Sequence, residues 1–74
     1  MIMAEIIIDG KIRHGKPIVK GTRITVDEVL GMLESGMTYE EIEEEYGLNK
    51  EQAIAAIHYA ASLVREEEVY SIHA

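Results

Sequence analysis

The sequence contains no cysteine, no tryptophan and no phenylalanine, and it has a single proline, Pro17. The absence of cysteine excludes disulfides and thiolate metal sites, so this chain of 74 residues must be stabilised by packing or by self-association. A small domain without disulfides is consistent with a cytoplasmic location. No apolar run approaches the ~20 residues that a membrane helix needs. We therefore expect one small cytoplasmic domain that does not enter a membrane.

Positive charge is concentrated in one short stretch of the chain. Residues 11–23, here called the basic segment, hold five of the seven lysines and arginines and no acidic residue. From residue 27 onward there are twelve acidic residues and two basic ones. The cations of the basic segment are Lys11, Arg13, Lys16, Lys20 and Arg23. Because the formal net charge is −7, only this segment is a candidate for binding DNA or an acidic protein surface.

Two short strands are expected ahead of the helices. Residues 4–8 are rich in isoleucine and end at Asp9-Gly10, a strong turn dipeptide. Residues 17–20 form the second candidate, which Gly21 ends. Because Pro17 cannot donate a backbone hydrogen bond, it should begin an edge strand. A two-stranded ribbon is weak in water, so we expect it to lie on the helices or on a second copy.

The same capping pattern occurs at three positions in the sequence, and each is a predicted helix start. Each begins with a side chain that can accept a backbone hydrogen bond, followed three residues later by Glu or Gln, which is the pattern of a capping box. The pairs are Thr25 with Glu28, Thr38 with Glu41, and Asn49 with Gln52. Apolar spacing predicts a first helix that Gly36 ends, a second that Gly47 ends, and a third over residues 50–66.

The connection between the second and third helices, Gly47-Leu48-Asn49, is short and contains glycine. A short helix, such a turn and a longer helix are typical of a helix-turn-helix. We therefore predict a mainly α fold: a three-helix helix-turn-helix bundle preceded by a short two-stranded β-ribbon. One domain would cover residues 1–74, with a β-ribbon arm and basic loop at 1–24, the bundle at 25–66 and a short tail at 67–74.

The third helix is apolar around more than half of its circumference. One stripe consists of Ile54, Ile57, Ala61 and Val64, and a second consists of Ala53, Ala56, Ala60 and Leu63. One small bundle is not expected to cover both. Two explanations remain open: a homodimer buries the second stripe, or the β-ribbon of the same chain covers it.

No arrangement of side chains is typical of an enzyme. His14, His58 and His73 are far apart, and none has a second histidine or a carboxylate at metal-ligand spacing. The glutamate run at 43–45 is expected to be a solvated helix face. No nucleophile is paired with a base, and no glycine-rich run has the length of a phosphate loop. We therefore predict a non-catalytic protein with no metal site and no cofactor.

The outer side of the third helix is poorly suited to reading DNA by itself. Gln52 could bind adenine and His58 is expected to be exposed, but no lysine or arginine is placed there for guanine or phosphate. Phosphate contacts would therefore have to come from the basic segment. The alternative is that its cations are ordinary solvated side chains, with Arg23 paired to a glutamate such as Glu28.

The run GKPIVKGTRITV, residues 15–26, resembles a small prokaryotic family catalogued as a domain of unknown function. That family carries a G-K-P-x-x-x-G-T-R-I-x-V signature, followed by an acidic L-x-x-G-x-[TS]-x-E-E-I stretch that residues 33–42 match. The resemblance covers nearly the whole chain. It implies a homeodomain-like or winged-helix-like three-helix fold behind a short β-ribbon.

The same resemblance implies a role in a type II toxin–antitoxin system, because members are often antitoxins of a PIN-domain ribonuclease. Such an antitoxin binds its toxin and, as a dimer, its own operator DNA. About eight residues, 67–74, follow the expected third helix, so partner contacts are expected on the ribbon or on that helix. Two hypotheses result: a DNA-binding antitoxin-like regulator, or a protein–protein interaction module that binds an acidic partner without nucleic acid.

Overall fold

The computed structural model describes the backbone of residues 4–73 and the side chains of residues 4–66. Two strands come first, β1 at Ile6–Ile7 and β2 at Ile18–Val19, with one 3-10-type turn at Arg13–Gly15 between them. Three helices follow: α1 at Val26–Glu34, α2 at Tyr39–Tyr46 and α3 at Lys50–His73. This order confirms the predicted mainly α fold with a preceding two-stranded antiparallel ribbon.

The β-ribbon is shorter than expected. β1 and β2 are antiparallel, with Ile6 opposite Val19 and Ile7 opposite Ile18. The second strand ends because the chain turns directly after Val19, whose carbonyl accepts a hydrogen bond from the Thr22 N–H at 3.0 Å. The Pro17 carbonyl accepts from the Val26 N–H at 2.9 Å, which ties the ribbon to the start of α1.

All three predicted helix starts are present. Thr25 and Thr38 each form a complete capping box, with Glu28 and Glu41 respectively. Asn49 and Gln52 exchange the same pair of hydrogen bonds at 2.8 Å each. A cap of this kind contributes about 1 kcal/mol, which matters for helices as short as α1 and α2.

The glycines end the first two helices as predicted. After α1, the Gly36 N–H donates to the Leu33 carbonyl and the Met37 N–H to the Met32 carbonyl, at 3.0 and 3.1 Å. This is a Schellman motif, and Gly36 has the positive φ of 95° that the motif requires. After α2, Gly47 lies in the left-handed region with φ 74° and ψ 13°.

One core joins the ribbon to all three helices. Its buried residues are Val19, Val26, Val29, Ile42, Leu48, Ala53 and Ala56. α3 contacts both strands as well as α1 and α2. Because a two-stranded ribbon and helices of eight or nine residues are marginal alone, this shared core is what holds them.

The third helix is longer than the sequence pattern predicted. It continues to His73, so the expected end near Glu66 and the separate tail at 67–74 are wrong over residues 67–73, while Ala74 lies outside the described residues. The sequence holds no glycine or proline after Gly47, and therefore no residue that would end the helix.

Candidate binding surfaces

The turn between α2 and α3 is held by one buried side chain. Leu48 is 1% exposed and belongs to the core, while Gly47 reverses the chain direction with its positive φ. Asn49 then begins α3 through its hydrogen bonds with Gln52. The three-residue connection therefore orients α3 against α2, because any other orientation would take Leu48 out of the core and expose it to water. Burying a leucine contributes about 1.5–3 kcal/mol.

The part of the basic segment that precedes β2 folds into a compact loop, here called the basic loop, rather than an extended arm. The Asp9 side chain accepts the Lys11 N–H at 2.9 Å, and the Asp9 carbonyl accepts the Ile12 N–H at the same distance. Arg13, His14 and Gly15 follow with φ values of 51°, 59° and 78°. Left-handed backbone costs a non-glycine residue about 1–2 kcal/mol, so two such residues in succession need specific contacts to hold them.

Arg13 supplies those contacts. Its guanidinium nitrogen Nη1 donates to the Arg23 carbonyl at 3.0 Å and to Oε1 of Glu28 at 2.9 Å. One side chain thus joins the loop, the end of the basic segment and the first turn of α1. The surface around this ion pair is open to solvent, so the pair positions the loop more than it stabilises the fold.

The Glu28 carboxylate is held by hydrogen bonds from the start of α1 and by the Arg13 guanidinium. The backbone N–H of Thr25 donates to Oε1 at 2.9 Å, and this hydrogen bond is the main reason that the pKa of Glu28 lies below its ordinary value of 4.5. Partial burial opposes the shift, while the Arg13 guanidinium adds to it. Glu28 therefore acts at once as the α1 cap and as the anchor of the basic loop.

The five cations of the basic segment divide into two groups. Arg13 is paired with Glu28, and Nζ of Lys20 lies 3.5 Å from Oε2 of Glu5 on the ribbon. Within the part of the chain whose side chains are described, Lys11, Lys16 and Arg23 are exposed and form no ion pair. The suggested pairing of Arg23 with Glu28 is wrong, because Arg13 occupies that carboxylate and Arg23 contributes only its backbone carbonyl.

The outer side of α3 offers little for base recognition. The Gln52 side-chain oxygen accepts the Asn49 N–H at 2.8 Å, so binding an adenine through both ends of this amide would compete with the helix cap. His58 is exposed, as expected. Lys50 lies over the Tyr39 ring at 5.5 Å from its centroid. Exposed Glu51 adds negative charge where a phosphate backbone would approach.

The alanine stripe of α3 belongs to the core of its own chain. Ala53 and Ala56 are 1% and 0% exposed, and Ala60 packs against the same core. This burial contradicts the placement of Ala53 and Ala56 at a dimer interface, because a second copy cannot reach them in the folded chain. The core cluster contains Val19 of the ribbon, in line with the alternative that the ribbon covers this stripe, and α1 contributes as well.

Three larger apolar side chains of α3 are exposed, in contrast to the buried alanines. Ile54, Leu63 and Val64 are 44%, 46% and 54% exposed. Leu63, the fourth residue of the proposed interface, is therefore accessible, whereas Ala60 is half-buried. Apolar side chains of this size in open positions on one helix mark it as a candidate binding surface.

Two features of the site were not anticipated from the sequence. One is the left-handed turn at Arg13–Gly15, for which the His14-Gly15 dipeptide is only a weak signal, since histidine is moderately enriched at positive φ. The other is the ion pair between Arg13 and Glu28. These residues are fifteen positions apart, and no spacing rule for a helix or a strand connects them.

The described residues provide no candidate metal centre and no membrane span. No group of three His, Asp or Glu side chains within them could hold a metal ion. None of the helices in that part of the chain has the length and apolarity to cross a bilayer.

Residues 6–60 match the family described as "Protein of unknown function (DUF433)". This chain belongs to the DUF433 family. A relative in Mycobacterium tuberculosis (strain ATCC 25618 / H37Rv), named "Putative antitoxin VapB45", is 31% identical over 49 residues. That alignment covers 66% of this chain and 20% of the relative, so the chain spans about a fifth of that protein's length. No solved structure matches this chain.

Proposed function

We propose that this DUF433 chain is a non-catalytic, antitoxin-like protein that binds a toxin protein through its basic segment. The observation that carries the proposal is the exposure of Lys11 and Lys16 on the loop between β1 and β2 and of Arg23 on the connection to α1, which the Arg13 side chain ties to that loop. In contrast, α1 and α2 are strongly acidic. The similarity to a mycobacterial protein named as an antitoxin supports the choice of system. A cytoplasmic location accords with this role.

The partner that suits this surface is an acidic one. A PIN-domain ribonuclease holds its catalytic metal with carboxylates, and these would be complementary to the three exposed cations. Charge complementarity of this kind raises the association rate and disfavours wrong partners. The loop is preorganised by the contacts of Arg13, so little ordering entropy would be lost on binding.

Co-expression with the product of the adjacent gene tests the proposal. If that product alone arrests growth, this chain should restore growth and co-purify with it. The Lys16→Glu variant should weaken the complex at least tenfold, since it reverses a charge at the proposed contact. Lys50→Glu, which makes the same change on α3, should leave binding within about twofold. If a variant with all three charges reversed, at residues 11, 16 and 23, still restored growth and still co-purified, the proposed role of the loop would be refuted.

Operator DNA is a second candidate ligand. The arrangement of α2, a three-residue turn and α3 favours it, because a helix placed in this way can enter a groove while loop cations contact phosphates. A gel shift with the promoter region of its own gene, at 50 and 200 mM salt, tests it. Binding through three cations should weaken by roughly tenfold or more over that range. Absence of any shift at the lower salt would refute DNA binding and would leave the proposed toxin binding unaffected.

A further inference from the structure

One face of α3 carries an apolar stripe that the described side chains cover only in part. Ile54 and Val64 are 44% and 54% exposed, and Ile57 and Ala61 lie half-buried between them. Their separations of three, four and three residues place all four on one side of the helix, distinct from the buried Ala53 and Ala56. Ten residues of helix make the stripe about 15 Å long.

We propose that a second copy of this chain covers the stripe by antiparallel packing of α3 against α3. A two-fold axis through the middle of the stripe would place Ile54 opposite Val64 of the second copy and Ile57 opposite Ala61. Each of these two contacts joins an isoleucine to a smaller side chain, so neither contact would bring two isoleucines together. The sequence separations between successive stripe residues, three, four and three, are the same from either end of the stripe. A two-fold axis between identical antiparallel helices requires this symmetry. This inference does not depend on the proposed function.

The charges that flank the stripe favour this occupant and this direction. Glu51 and Arg65 lie fourteen residues apart, two heptads, on the same edge of the stripe, and both are exposed. In antiparallel helices these edge positions face each other, so Glu51 would meet Arg65 of the second copy, and the contact would occur twice. An in-register parallel pair would instead separate Glu51 from Arg65 of the second copy by about 21 Å along the helices, so the two charges would not meet. Among the described side chains, neither residue has an ion pair within its own chain.

Charge exchange provides the first test. Sedimentation equilibrium of the full chain should show monomers and dimers with a dissociation constant on the order of micromolar, because the stripe is short. Glu51→Arg or Arg65→Glu alone should weaken the dimer about five- to tenfold through like-charge contacts. The double variant should recover to within about twofold of the original affinity. Glu44→Arg makes the same change on α2, away from the stripe, and should have no effect.

The results that overturn the proposal are equally specific. A chain that stays monomeric at several hundred micromolar has no such interface. A double variant no tighter than either single one means that the two residues do not meet. Circular dichroism of each variant keeps loss of folding separate from loss of pairing.

Crosslinking provides a second test, since the chain has no cysteine of its own. His58 lies near the proposed axis, so its counterpart in the second copy would be its neighbour. The variant His58→Cys should crosslink to itself with a short bismaleimide, whereas Glu51→Cys and Arg65→Cys should do so only when mixed with each other. Equal self-crosslinking of all three would indicate a parallel pair and overturn the antiparallel arrangement. Equal crosslinking of a Glu44→Cys control would show random collision instead of an interface.

Discussion

Among the hydrogen bonds of the described side chains, those of Arg13 join the residues that are farthest apart in the sequence. Its guanidinium reaches the Arg23 carbonyl and the Glu28 carboxylate, and it does so from a left-handed backbone conformation. Glu28 in turn accepts the Thr25 N–H that starts α1. The basic loop and the first helix therefore share one side chain, and a change at Glu28 should affect both.

We expect the variant Glu28→Gln to reduce stability at pH 7 by about 0.5 kcal/mol, because it removes an exposed ion pair. The folded-state pKa of Glu28 is lowered, so its contribution is present above the ordinary value of 4.5 and is lost as the pH falls through the folded value. The difference between the two proteins should therefore shrink as the pH falls below 4.5. Urea denaturation from pH 7 to pH 3 measures it.

Glu34→Gln is the matched control for that experiment. Glu34 is an exposed residue at the opposite end of α1, with no ion pair among the described side chains. Its replacement should leave stability at pH 7 unchanged or slightly higher, because a carboxylate is unfavourable near a helix C-terminus. A Glu28 variant that behaves like this control would show that the Arg13 contact contributes nothing.

The residue scale is where the sequence was least informative about the site. Lys11, Lys16 and Arg23 look the same in the sequence as Arg13 and Lys20, yet the first three are exposed without an ion pair in the described part of the chain and the other two are paired. The difference depends on where the fold of residues 11–23 brings each side chain. That distance is set by the left-handed turn, for which the sequence carries only a weak signal.

At the scale of elements, the helices end where their local sequence requires. Capping boxes begin α1 and α2, and a glycine at positive φ follows each of them. α3 has no such stop signal and extends to His73. Each start and stop depends on residues within about six positions, so sequence patterns were sufficient to place most of them.

Two glycine substitutions should change stability in opposite directions. Gly31 lies inside α1 with open space around the site of an added Cβ, so Gly31→Ala should stabilise the fold by about 0.5–1 kcal/mol. Gly47 has equal space but a φ of 74°, so Gly47→Ala should destabilise it by about 1–2 kcal/mol. Thermal or urea denaturation measures both. Equal effects at the two positions would contradict the assignment of Gly47 as a left-handed cap.

For the whole molecule, the uneven charge has a cost in stability. The formal net charge is −7, and five glutamates lie on α2 with only Ile42 buried beneath them. Three of the five lie in the C-terminal half of α2, where negative charge interacts unfavourably with the helix dipole. The fold therefore retains a repulsion that its small core must offset.

We expect added salt to stabilise the protein, because screening lengths fall from about 30 Å at 0.01 M to about 10 Å at 0.1 M. The urea midpoint should rise between 0.01 and 0.5 M sodium chloride. Replacing Glu44 and Glu45 by glutamine should raise stability at low salt by about 0.5 kcal/mol and make the salt response smaller. A midpoint that falls with salt would mean that attractive ion pairs outweigh the repulsion.

The sequence alone was sufficient for the class of fold, the capping residues, the turn at residues 47–49 and the separation of charge, because each depends on neighbouring residues or on composition. Only the tertiary structure decided which cations are available and which apolar stripe of α3 is covered. Both stripes look equally suitable for burial in the sequence, since helical spacing identifies a side of a helix but not what packs there. The position of α3 against the ribbon and α1 buries Ala53 and Ala56 and leaves Ile54 and Val64 exposed.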